Sequence, residues 1–139
     1  MYMRQIRKTP TVTAPTYSVV PSQNRLSIVV RDIWVLPLVS DTIRRAALDS
    51  SYGPSMHVIV DCRRCRPSPG MHDIRELAVT LANSCDVAGP VAVLVTDRRI
   101  AEMRYALDMT LSPWAACQLQ VFDCEESMNS WLAGSATAL

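Results

Sequence analysis

Short runs of continuously apolar residues recur along this chain, and their spacing limits the fold more than any other feature. Three of these runs occupy residues 28–30, 58–60 and 91–95. Strands that are apolar on both faces are typical of the buried interior of a parallel sheet. The runs follow one another at intervals of roughly 25 to 35 residues with a helical pattern in each gap, which is the signature of right-handed β-α-β crossovers. We therefore expect an α/β domain with a mostly parallel sheet.

The same pattern places the individual strands. They are expected near residues 16–20, 26–32, 57–62, 91–96 and 118–122. The first two are joined by a proline- and asparagine-containing turn, which predicts an N-terminal hairpin. The last strand alternates between polar and apolar residues, so we expect it at an edge of the sheet, with strand 91–96 in the interior.

Helices are expected between the last four strands and after the final one. The first three would run from Pro37 to Asp49, from Ser68 and Pro69 onwards, and over about residues 98 to 111. In the second of these helices Ser68 is the expected N-cap, so its replacement by alanine should cost about 1 kcal/mol. The last helix would turn its apolar residues inward, namely Met128, Trp131 and Leu132.

The length and composition exclude several classes of function. The chain has 139 residues, with a Thr- and Pro-rich arm expected at 1–15, one domain at 16–134 and a short tail at 135–139. Its 14 basic and 13 acidic residues give a net charge of +1, which is no footprint for nucleic acid. No apolar run is long enough for a membrane span. The odd number of cysteines, 5, is typical of reduced thiols in a cytoplasmic protein.

Charged residues gather where the predicted strands end. Asp61, Asp97 and Asp123 follow three strands directly, and the carboxyl ends of parallel strands share the rim where open α/β sheets bind ligands. Five arginines come next on the same rim, Arg63, Arg64, Arg66, Arg98 and Arg99. Arginines beside helix N-termini would suit an anion. The alternative is that the aspartates cap helices and the arginines are solvated partners.

Other features that could support chemistry are sparse. Cys62 and Cys65 form a C-x-x-C pair, but a zinc site would need two further ligands; the only histidines are His57 and His72, and there is no second C-x-x-C. His57 begins the strand that Asp61 ends, so it should lie at the opposite rim. No glycine-rich phosphate loop or nucleophile motif is present. We therefore expect no metal, no cofactor and no enzymatic activity, and we expect Cys62 and Cys65 to be reduced.

The order of elements resembles a known family. The resemblance begins with the hairpin, and continues with Tyr52-Gly53-Pro54, the strand ending at Asp61 and the helix after Ser68-Pro69. It ends with Gly89-Pro90 before a valine-rich strand, and with Val121-Phe122-Asp123 followed by Glu126 and Trp131-Leu132. Together these pieces resemble the bacterial STAS/SpoIIAA-like proteins over about residues 16–134. The resemblance implies a superhelix of four β-α turns with the helices on one side of the sheet.

The resemblance also implies a function. Members of this family include anti-sigma-factor antagonists, which are switched by phosphorylation of a serine at the start of the helix after the Asp61-type strand. That serine would fall close to Gly70 here, and the nearest serine is Ser68. The resemblance implies a non-catalytic interaction or regulatory module with an unidentified protein partner. The alternative function is a carrier of a small molecule or anion at the arginine-rich rim.

The apolar strands also predict a homodimer. If all the helices lie on one face of the sheet, the other face of the 28–30 and 91–95 runs has no polar residue to meet water. A patch of that size is rare on a soluble monomer. We expect a two-fold dimer to cover it, unless some helices cross to the second face.

Overall fold

The computed structural model describes residues 13–84, 87, 89–99 and 118–137. Its strands are β1 (Thr16–Val20), β2 (Arg25–Asp32), β3 (His57–Cys65), β4 (Val91–Leu94) and β5 (Leu119–Phe122). Its helices are α1 (Leu36–Ala47), α2 (Met71–Ser84) and α3 (Glu125–Thr137). A short 3₁₀ turn, Pro21–Gln23, joins β1 to β2. The helix expected over about residues 98 to 111 and most of the N-terminal arm lie outside the described residues, and α3 continues past residue 134, where the domain was expected to end.

The five strands form one sheet in the order β1-β2-β3-β4-β5. β1 and β2 are the expected antiparallel hairpin, and β2 to β5 pair in parallel. Among the described strands, β5 lies at an edge, as its alternation predicted, and β4 lies in the interior, as its continuously apolar sequence predicted. The described residues therefore confirm an α/β fold with a mostly parallel sheet. Among them, no helix is both long enough and apolar enough to cross a membrane.

The larger core lies between the sheet and the helices α1 and α2. Alternate residues of each strand point into it, among them Ile28, Val60 and Val93. Val39 and Ile43 of α1 meet them, and so do three residues of α2, Ile74, Leu77 and Leu81. All of these side chains are almost inaccessible to solvent. Crossovers of one hand that advance in one direction along a sheet place their helices on the same face.

The third helix lies on the opposite face of the sheet. Met128 and Leu132 of α3 pack with Leu94 and Phe122 in a second, smaller buried cluster, and Trp131 stacks obliquely on Phe122 with ring centroids 5.5 Å apart. The apolar residues of α3 do turn inward, as the sequence predicted. However, the helices do not all lie on one side of the sheet, which departs from the arrangement that the family resemblance implied.

This position of α3 removes the premise of the dimer argument. The side chains of β4 that point away from the larger core, Ala92 and Leu94, are covered within the same chain. The same face is mostly polar over the hairpin, where strand pairing aligns Thr16 with Val29 and Ser18 with Ser27. The dimer stays a prediction, and the surface that the described residues offer for it is this hairpin face and the outer edge of β1.

The start of α2 differs from the sequence prediction. The helix begins at Met71, and the Gly70 carbonyl accepts its first hydrogen bond from the Ile74 N–H at 3.1 Å. The Gly70 N–H donates to Asp73 Oδ2 at 2.8 Å. Gly70 is therefore the N-cap, with Asp73 bonding back to it as in a capping box. The prediction that Ser68 is the N-cap was wrong, because α2 begins at Met71 and the Ser68 hydroxyl has no hydrogen-bond partner among the described residues.

Candidate functional site

Asp61 and Arg63 of β3 lie on the sheet face that α3 covers in part. The sequence predicted that Asp61 ends its strand, but β3 runs on to Cys65. Asp61 pairs with Leu94, the last residue of β4. A register shift in the β2–β3 pairing lies directly after Asp61. The carboxylate therefore stands at a step in the sheet, where β4 ends and β3 continues.

Arg63 links β3 to the first turn of α3. Its Nε and Nη2 donate to the two carboxylate oxygens of Asp61 at 3.0 and 2.9 Å, a bidentate pairing. Its Nη2 also donates to Glu125 Oε1 at 2.9 Å, and its backbone N–H donates to Asp61 Oδ1 at 3.0 Å. One guanidinium thus joins two carboxylates from different elements. We call these three side chains the acid–arginine cluster.

The cluster sets the charge state of its members. Burial acts to raise the pKa of Asp61, but the hydrogen bonds and charge of Arg63, with a contribution from Arg64, outweigh it and lower that pKa. The same hydrogen bond to Asp61 raises the pKa of Arg63 despite the opposing effect of burial. Both groups are therefore ionised near neutral pH. This arrangement suits holding charge in place and does not suit a general acid, whose pKa should lie near the working pH.

A second polar link joins the sheet to α3 one helical turn further on. Arg25, the first residue of β2, donates from Nη2 to Asn129 Oδ1 at 2.6 Å. Arg25 pairs in register with His57 of β3. Burial lowers the pKa of His57 and the positive charge of Arg25 lowers it further, so His57 is neutral at pH 7.

A recess of about 250 Å³ opens between these two links. The side chains of β2, β3 and β4 form its floor and α3 forms one wall. Its lining consists of Arg25, Ser27, Val29, Ile59, Asp61, Arg63, Leu94, Glu125, Met128 and Asn129. The recess is smaller than the roughly 300–1,000 Å³ of pockets for drug-sized ligands. It can accommodate a small molecule.

The other predicted site residues do not join this recess. Arg64, Arg66, Arg98 and Arg99 are all exposed. The backbone N–H of Arg66 donates to the Asp32 carbonyl at 2.6 Å, and a cis peptide bond joins Arg66 to Pro67. Asp97 accepts from the Arg99 backbone N–H at 3.0 Å and lies 3.5 Å from its Nε, which is a local turn contact. Of the predicted set, only Asp61 and Arg63 share a site.

Ser68 is oriented inward. Its hydroxyl oxygen is buried and has no hydrogen-bond partner among the described residues. A serine that a kinase modifies must present its hydroxyl to solvent, and this one does not in the conformation described. The sequence had already placed Ser68 apart from the family's position near Gly70.

The C-x-x-C thiols face the larger core. Cys62 and Cys65 are both free and buried. Cys62 Sγ lies 3.9 Å from the Val60 carbonyl and Cys65 Sγ lies 3.6 Å from the Val30 carbonyl. The hydrogen bond with Cys65, and then burial, raise the pKa of Cys62. A thiol in this state is a poor nucleophile. The described residues contain no cluster of three or more side chains able to hold a metal ion.

Of the ten residues that line the recess, eight were not predicted as site residues from the sequence, among them Arg25, Glu125 and Asn129. A signal for them exists. Glu125 and Asn129 are spaced i, i+4, which places both on one side of α3. Arg25, Ser27 and Val29 alternate along β2, which places them on one sheet face. The missing information was which sheet face α3 covers.

Comparisons with known proteins add no relative to this description: no family model, no curated protein and no solved structure matches the chain.

Proposed function

We propose that this chain is a non-catalytic interaction or regulatory module of the STAS/SpoIIAA-like type. An N-terminal hairpin, a run of parallel strands with helices between them and a closing helix after a Val-Phe-Asp strand end support this proposal. The position of α3 on the second sheet face is a departure from the family arrangement. The proposal therefore rests on the order of elements and on the surface that this arrangement leaves open.

The observation on which the proposal depends is half of one sheet face on which no described helix packs. α3 packs on β4 and β5, and the same face over the hairpin presents short side chains from β1 and β2, namely Thr16, Ser18, Ser27 and Val29. We call this surface the open half-face. Thr16 and Ser18 are exposed. Next to them lies the edge of β1, and an exposed edge strand is a template for pairing with another chain.

We also propose that one partner at this surface is a second copy of the chain. β1 has the sequence Thr-Tyr-Ser-Val-Val, with no charge and no proline inside the strand. Charged side chains and proline are two of the devices that protect an edge strand from pairing. Two antiparallel β1 strands would satisfy the two-fold symmetry of most dimers.

Site-specific photo-crosslinking tests this function. A photoreactive amino acid replaces Ser18 on the open half-face, and in the matched control it replaces Ser130, an exposed serine on α3. Irradiation of cells of the native host should give a crosslinked protein from position 18 and none from position 130. The single chain has a mass of 15.4 kDa. A crosslinked product of twice that mass identifies the dimer, and another mass identifies a different partner. Equal labelling at both positions, or none at position 18, would count against the proposal.

The recess supports a second candidate function, a small-molecule-binding domain. Of the five arginines that first suggested an anion carrier, Arg63 has its charge balanced by Asp61 and Glu125. The recess itself is the observation that favours this function, since it combines apolar floor residues with charged groups at its ends. Mass spectrometry of the protein purified under native conditions should show a small co-purifying compound if the recess is occupied in the cell.

A further inference from the structure

We propose that the recess binds a small zwitterion, with the carboxylate of the ligand at Arg25 and its ammonium group at Asp61 and Glu125. This inference rests on the second candidate function, small-molecule binding, and states which class of ligand that function takes. Its basis is the unequal charge at the two ends of the recess and the apolar residues that line it.

The Arg25 end of the recess is positive. The side-chain partner of this guanidinium among the described residues is the Asn129 amide oxygen, which is neutral. The nearby imidazole of His57 is neutral at pH 7 as well. The charge of Arg25 is therefore not cancelled by its described neighbours, and a guanidinium presents several N–H groups in a planar fork that fits a carboxylate.

The opposite end is negative. Here one guanidinium, that of Arg63, faces two carboxylates, those of Asp61 and Glu125. The sum of these formal charges is −1. Arg63 Nη2 bonds only one oxygen of Glu125, and the Glu125 side chain is 59% exposed. A carboxylate oxygen is thus free to accept a hydrogen bond from an ammonium group that enters the recess.

The spacing of the two ends limits the length of the ligand. Along β3, the row of Arg25 and the row of Asp61 are four residues apart, which is about 13 Å of strand. Along α3, Glu125 and Asn129 are four residues apart, which is about 6 Å of helix. Both spacings are longer than the separation of the charges in an α-amino acid, which sit on one carbon. They favour an ω-amino acid, whose charges are several methylene groups apart.

The floor fits the middle of such a ligand. The apolar lining consists of Val29, Ile59, Leu94 and Met128; Ile59 lies in the row between Arg25 and Asp61, and Val29 and Leu94 flank Asp61 in its own row. These apolar groups would contact the methylene chain and displace water from it. The volume of about 250 Å³ admits a short chain and excludes a drug-sized ligand.

The test is a ¹⁵N NMR titration of the full-length protein with ε-aminocaproate. The controls are caproate and hexylamine, which have the same length and one charge each. We expect saturable shifts of amides around the recess with the zwitterion, and affinities roughly tenfold weaker for either control because one charge-assisted contact is lost. Raising the salt concentration should also weaken binding of the zwitterion, since the charged groups of the recess are partly exposed.

Matched variants locate the site. Arg25→Gln and Glu125→Gln should each weaken the affinity for ε-aminocaproate roughly tenfold. Two control variants should leave this affinity unchanged: Arg44→Gln, on the exposed side of α1, and Glu126→Gln, beside Glu125 on α3. The NMR spectrum of each variant shows whether it is folded.

The outcomes separate the two proposals. If caproate or hexylamine binds the recess as tightly as ε-aminocaproate, small-molecule binding stands and the zwitterion inference is wrong. If none of the three gives saturable shifts around the recess, or if the control variants lose binding equally, the inference is overturned. A ligand of another class that co-purifies with the protein and shifts the same amides would overturn the inference alone.

Discussion

Replacement of Leu132 by alanine tests the position of α3 on the second face of the sheet. Leu132 is 1% exposed and packs in the smaller cluster with Leu94 and Phe122. Truncating a buried leucine to alanine costs about 2–5 kcal/mol, from the lost transfer free energy and the cavity left behind. We expect a loss of about 2–3 kcal/mol, in the lower half of that range, because α3 is a surface helix that can partly close the cavity.

Urea denaturation followed by circular dichroism measures this loss as a change in the free energy of unfolding. The matched control is Leu48→Ala, the same substitution at a side chain that is 82% exposed, and it should change the free energy by less than about 0.5 kcal/mol. An equal, small effect at both positions would mean that α3 does not pack on the sheet. A change in the m-value, the slope of the free energy of unfolding against urea concentration, would instead indicate an altered unfolded or native state.

Three further predictions concern single side chains. Asp61→Asn should cost about 1 kcal/mol of unfolding free energy at pH 7, since charge-assisted bonds from Arg63 are lost at a partly exposed site. Because the pKa of Asp61 is lowered in the folded state, the difference in stability from wild type should be full above pH 3.8 and vanish as the pH falls below it. A constant difference in urea midpoint down to pH 3 would contradict this. Ser68→Ala should cost less than about 0.5 kcal/mol because its hydroxyl has no described partner, whereas Asp73→Ala should cost about 1 kcal/mol because it removes the capping interaction of α2. The reverse ranking in thermal melts would restore Ser68 as the cap. Of the three described cysteines, Cys124 should react first with limiting iodoacetamide, because it is exposed and hydrogen bonding with Ser127 lowers the pKa of its thiol. Peptide mapping that finds Cys62 modified first would refute this.

The parts of the fold that the sequence predicted are those that local pattern determines. Continuous apolar runs identified β3 and β4 as interior strands, and alternation identified β5 as an edge. The spacing of the runs required crossovers, and the handedness rule then placed α1 and α2 on one face. Element boundaries were less certain because they depend on single contacts, as at Gly70 and Asp73, where a short hydrogen bond moves the start of α2.

The candidate site was predicted only in part, because it depends on contacts between distant segments. Asp61 and Arg63 are two residues apart, so their pairing on one strand face was within reach of the sequence. Glu125 is distant from them in the chain, and its contact with Arg63 exists only because α3 crosses that face. The rim hypothesis treated all five arginines alike, although a strand turns alternate residues to opposite sides and only some could meet.

The face that α3 takes could not follow from the crossover rule, since that rule needs a strand on each side of the helix and no described strand follows α3. The pattern of the sheet contains the missing information. On the face away from the larger core, the central and far strands present Ile59, Leu94 and Phe122, whereas the hairpin presents Thr16, Ser18 and Ser27. A helix with one apolar stripe gains most by covering the first set and leaving the second exposed. The edge of that cover falls between β2 and β3, so the recess opens where the sheet changes from apolar to polar.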